Sequence, residues 1–161
     1  MANQNLATYL NDHLAGSVAA LELLEYLEKT QTGKAMGRFV PELRADIAAD
    51  RRELEALMAR LHIAASPSRA AARLAERMTE IKLRLDDPAG AALRLLEILE
   101  GLSVGIEGKR LLWRALAAVA EDAPALRLTD YGRLEQRAQE QRQRVEMARL
   151  ETAKTALGTT S

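Results

Sequence analysis

Three residues break the apolar heptad stripes of this chain near mid-helix, and their types are those of a buried ion pair with an amide beside it. The stripe Val40, Leu43, Ile47, Asp50, Leu54, Leu57, Leu61 is apolar except at its centre, so Asp50 shares the inward direction of its neighbours. A second stripe, Leu95, Leu99, Leu102, Ile106, Lys109, Trp113, Leu116, is interrupted once, by Lys109. A third, Tyr131, Leu134, Ala138, Gln141, Val145, Ala148, carries an amide at Gln141. Away from water, a carboxylate, an ammonium and an amide satisfy one another, whereas any one of them alone is costly to bury. Ser17 is a candidate fourth member. The plainer alternative lays the Lys109 stem along apolar surface and keeps its head in water.

Other reagents are scarce. The absence of cysteine excludes disulfides, thiolate nucleophiles, zinc fingers and iron-sulfur clusters. The only two histidines are His13, in the first half of the first helix, and His62, at the end of the second, and both are expected as surface or capping residues. No Gly-rich phosphate loop, nucleophile elbow or HExxH motif occurs. Twenty-three Lys and Arg balance 23 Asp and Glu, which argues against a nucleic-acid partner or an anionic lipid surface. The Arg- and Gln-rich segment from Arg133 to Arg149 is interspersed with Glu135, Glu140 and Glu146, and it reads as a solvated face.

The elements that must position these residues are helices. At 161 residues, with 48% hydrophobic and 3% aromatic side chains, the chain reads as one all-α domain spanning 1–161. Caps and breakers predict helices over about 5–31, 41–63, 67–86, 88–121 and 129–157. Asn3 or Asn5 caps the first, and Gly33 with Gly37 marks the turn after it. Pro41 opens the second, Ser66-Pro67-Ser68 breaks before the third, and Asp87-Pro88 caps the fourth. Residues 158–161 are expected as a disordered tail. No run of about 18 apolar residues predicts a membrane span, and Met1 to Asn5 lacks the features of a signal peptide. The expected setting is therefore cytoplasmic, with no membrane partner.

Short links after the first and fourth helices make two antiparallel hairpins, and roughly 25 residues between the second and fourth allow a crossover along the whole assembly. With soft patterns such as Gly105-Ile106-Glu107-Gly108-Lys109 and Leu111-Leu112-Trp113, this order resembles the ferritin-like superfamily of small bacterial four-helix bundles. The resemblance implies a di-metal centre of four carboxylates and two histidines from Glu-x-x-His pairs. The matching stretches read Asp46-Ile47-Ala48-Ala49-Asp50-Arg51-Arg52-Glu53 and Glu140-Gln141-Arg142-Gln143, without histidine. The ligand pattern is therefore degenerate, and Asp50, Lys109 and Gln141 are expected as a polar layer in its place, with no metal and no cofactor.

The function expected is that of a non-catalytic structural or protein-interaction module, as a homo-oligomer or with a protein partner. The alternative is a carboxylate-bridged di-iron oxidase or peroxidase, or an iron-handling protein, recruiting Glu25, Asp50, Glu107 and Glu140. A ligand-binding bundle with an apolar pocket is a third class. Gly101, Gly105 and Gly108 share a second side of the fourth helix with Val104, Leu111 and Leu112. Glycine weakens a helix by about 1 kcal/mol relative to alanine, so close packing is expected there, by the crossover helix or by a second subunit.

Overall fold

The computed structural model describes residues 3–31, 36–85 and 90–158, and no strand forms among them. Local chemistry sets the helix ends. Helix α1, Gln4–Thr30, starts where the Asn3 side chain accepts the Asn5 N-H at 2.9 Å. Helix α2, Phe39–Arg60, has Pro41 in its first turn, where a missing N-H breaks no helical bond. Helix α3, Arg69–Leu85, follows Ser68, whose hydroxyl accepts the Ala71 N-H at 3.1 Å. Helix α4, Ala91–Ala120, starts after Gly90, and a 3-10 turn at Pro124–Leu126 reverses the chain. Helix α5, Tyr131–Leu157, is capped by Asp130, which accepts the Arg133 N-H at 3.0 Å.

Five boundaries differ from expectation by two residues or more, among them the starts of the second helix, at Phe39 rather than 41, and of the third, at Arg69 rather than 67. The fourth helix begins at Ala91 rather than near residue 88, because Gly90 adopts φ 77°, outside the helical region. The second ends at Arg60 rather than 63, because His62 takes φ 56°. The N-H groups of His62 and Ile63 then bond the carbonyls of Ala59 and Met58 at 3.1 and 2.9 Å, closing the helix in a Schellman turn with Ile63 buried behind it. The fifth begins at Tyr131, one residue after its cap. Gly37 lies in the turn before α2. The other half of that expected turn, Gly33, lies outside the described residues, as do the Asp87-Pro88 cap and residues 159–161 of the expected tail.

The five helices pack as two hairpins and a strap. Helices α1 and α2 are antiparallel neighbours, crossed by an Arg44–Glu28 pair at 3.0 Å, and α4 and α5 form the most extensive contact of the molecule. Helix α1 also meets α4, and α2 meets α5. Between the hairpins, α3 lies mainly on α1. Asn11, 6% exposed, anchors the entry to this strap. Its amide donates to the carbonyls of Ala7 and Ala64 at 2.9 and 3.3 Å and accepts the Ser66 N-H at 2.8 Å.

The core divides into two apolar clusters. One gathers Leu24, Leu27, Val40, Leu43, Leu99 and Val145, and the other Leu10, Leu57, Trp113, Leu116, Tyr131 and Leu134. Tyr131 hydrogen-bonds the Leu126 carbonyl at 2.8 Å, which holds the 3-10 turn over the second cluster. In α2 and α4 the polar residue falls where the stripe passes from one cluster to the other, between Ile47 and Leu54 and between Ile106 and Trp113, whereas in α5 the change comes between Leu134 and Ala138, one turn before Gln141.

Candidate functional site

Asp50 of α2, Lys109 of α4 and Gln141 of α5 meet. Asp50 is 2% exposed and Gln141 is fully buried, while the Lys109 side chain keeps 14% of its surface. The Lys109 ammonium donates to Asp50 Oδ2 and to Gln141 Oε1, and Gln141 Nε2 donates to Asp50 Oδ2 at 2.8 Å. Burial pushes the Lys109 ammonium below the usual lysine range, and the Asp50 charge opposes that shift. The snorkelling alternative does not hold: the head of Lys109 lies on Asp50 rather than in water.

The fourth member is not Ser17. Its hydroxyl donates to the Leu14 carbonyl of its own helix at 2.7 Å, a bond within reach of any helical serine. Arg137 fills the place instead, donating through Nε to Asp50 Oδ1 at 2.6 Å, with a second guanidinium nitrogen on the same oxygen. Sequence reasoning missed it by assigning the whole Arg133 to Arg149 segment to solvent. The available signal was its place one turn before Gln141, on the flank of the stripe, where a long side chain can reach inward.

That segment is corrected more widely. Its arginines pair with both neighbouring helices: Arg133, Arg137 and Arg144 with Glu53, Asp50 and Asp46 of α2, and Arg142 and Arg149 with Glu107 and Glu100 of α4. The face is half-exposed, but it is an ion-paired seam. Its outer pairs contribute little each, about 0 to 1 kcal/mol, because water screens them.

The carboxylates of the alternative metal site do not converge. Glu25 lies beside Lys29 at 3.0 Å and Arg44 at 3.9 Å, and the Lys29 hydrogen bond holds its carboxyl below the usual range. Glu107 is held low by its Arg110 hydrogen bond and also meets Arg142 at 2.8 Å. Glu140 accepts from Gln136 at 3.1 Å. Among the described residues, no three His, Asp or Glu side chains are grouped so that they could hold a metal ion. The two histidines are apart in role as well. His62 closes α2, whereas His13 packs edge-on against Tyr9 at 4.7 Å between ring centroids and is held below the usual histidine range by burial.

The glycine side of α4 contradicts the close packing expected of it. A methyl group added at Gly101, Gly105 or Gly108 would meet no heavy atom within 4 Å. The crossover helix touches α4 but rests on α1, and the space left is a cavity of about 560 Å³ between α1, α2, α3 and α4, with Asp50 and Lys109 among its lining residues. Its wall is mostly apolar. No described helix is long and apolar enough to cross a membrane. In comparisons with protein-family models, curated proteins and solved structures, nothing matches this chain.

Proposed function

We propose that the chain is a non-catalytic, cytoplasmic helical module of ferritin-like connectivity, in which Lys109 stands where relatives of that fold hold metal. It acts through its surface, by self-association or by holding a protein partner. One observation carries this reading: the acceptor positions of the central carboxylate are taken. Asp50 Oδ2 receives Lys109 and Gln141, and Oδ1 receives Arg137. A di-metal centre of the ferritin-like kind needs several convergent carboxylates and two imidazoles. Here one carboxylate faces two cations and an amide, so the residues do not fit that centre. The neighbour relations support the connectivity, since α1 lies beside α2 and α4, α5 lies beside α4 and α2, and α3 links the hairpins.

Metal content tests the reading. Protein made in iron- and manganese-replete medium and analysed by elemental mass spectrometry is expected to carry far less than one metal per chain. Stoichiometric iron or manganese, lost on Asp50→Ala, would reverse the choice in favour of a carboxylate-bridged di-iron oxidase, peroxidase or iron-handling protein.

A further inference from the structure

The cavity has the size and wall of a small-molecule site: about 560 Å³ falls within the usual range of roughly 300 to 1,000 Å³ for such pockets, which are mainly apolar with few polar groups. The glycines keep it open. Each weakens α4 relative to alanine, yet none is needed for a close helix approach or a positive φ, and a side chain at any of them would project into the groove, which is open to solvent at Gly101 and Gly105. What their absence of side chains provides is room.

The polar end of that room is positively charged. Behind it, one buried carboxylate, Asp50, faces two cations, Lys109 and Arg137, so the cluster carries one positive charge in excess. An ammonium has three N-H groups. Two of those on Lys109 go to Asp50 and Gln141, and the third has no partner among the described residues, while Lys109 itself lines the cavity. A buried cation with a spare donor calls for an anionic acceptor, and a carboxylate supplies one in a charge-assisted bond.

The rest of the wall sets the shape and direction of the ligand. From Lys109, the cavity runs one way toward Asp12, whose charge would repel an anion, and the other way toward Leu23, Met78, Ile81 and Gly101, with the cations Arg51 and Arg77 also on its wall. Gly101 lies two turns before Lys109, about 12 Å along the helix. We propose that this cavity binds a single-chain amphiphile with a carboxylate head, of the fatty-acid type, its head at Lys109 and its chain against α1, α3 and the glycine side of α4.

This goes beyond the structural role proposed above, and the two fail separately, since metal content decides one and ligand titration the other. The test uses the full chain and sodium dodecanoate below its micellar range, followed by calorimetry and by the emission of Trp113, the only tryptophan, which lines the cavity. Dodecanoate is expected to saturate at one molecule per chain and to bind at least about tenfold tighter than dodecan-1-ol. Gly105→Leu, which fills the void from a site with no neighbour to displace, is expected to weaken binding about tenfold or more while the thermal melt stays level or rises. Gly101→Leu gives the same readout from a second position. Absence of saturable dodecanoate binding, equal binding of the alcohol, or undiminished binding by folded Gly105→Leu and Gly101→Leu proteins would each overturn the proposal.

Discussion

Helix α4 has two unlike sides, and their contrast shows how one helix serves both stability and space. Toward α5 and the interior it presents Leu99, Leu102, Ile106 and Trp113, all nearly fully buried, with Lys109 locked onto Asp50 among them, and all but Leu99 also reach the inner wall of the cavity. Toward α3 it presents Gly101, Gly105 and Gly108, with open volume above them. The first side has apolar contact at every turn and one buried charge, which is paired. On the second, side chains are missing where a packed core would need them, so the packed side must supply the free energy that keeps the helix in place.

The largest effect that would break this contrast is expected from the charge pair. Asp50→Ala strands the buried Lys109 ammonium, whose other acceptor is the neutral Gln141 amide, and stability measured by denaturant titration should fall by about 3 to 5 kcal/mol. Lys109→Met and Gln141→Leu added to Asp50→Leu should recover much of that loss, because no fully buried polar group is then left without a partner and Arg137, 26% exposed, can turn to water. Small, additive effects from the single changes would show that the pair is not coupled. Next in size, Leu99→Ala on the packed side should cost about 2 to 5 kcal/mol. Met78→Ala, on α3 facing the cavity, should cost less, since the void it leaves joins one already present. Equal losses would mean that the cavity is closed in solution.

On the open side the sign should reverse. Gly105→Ala is expected to stabilise by about 0.5 to 1 kcal/mol, because it removes a helix-weakening residue and the new methyl clashes with nothing. The smallest effect is a slope with pH. Burial holds the folded His13 below its ordinary value of 6.5, with Asp12 partly opposing. The unfolded chain therefore takes up a proton first, and stability, full above that value, declines as the pH falls through it. His13→Gln should flatten the slope below neutrality, read as melting temperature against pH.

The polar layer was legible because heptad phase fixes which residues point inward, and Asp50, Lys109 and Gln141 each sit in phase with Leu and Ile. Helix order was legible for the same reason, helped by the cap at Asn3 and the break and cap at Ser66-Pro67-Ser68, whereas the cap at Asp130 fell inside the helix expected from 129. Arg137 was not, because it lies off the stripe and reaches Asp50 only through the length of its side chain. Asn11 was hidden too: a lone amide in α1 gives no local sign that a strap some 55 residues later ends its hydrogen bonds there. The cavity depends on where α3 comes to rest, which follows from its contact with α1 rather than from any property of the glycines across from it.

The seam along α5 also acts as an alignment code. Arg133, Arg137 and Arg144 meet Glu53, Asp50 and Asp46 in reversed order, as two helices running in opposite directions require. Sliding α5 by one turn, about 5.4 Å, would carry Arg137 off Asp50 and Gln141 off Lys109 at once, leaving buried charge unanswered. Apolar residues at heptad spacing tolerate such a slip, since leucine meets leucine again a turn later. The ion pairs, weak singly, therefore discriminate among mis-slid alternatives that hydrophobic burial alone would leave nearly equal.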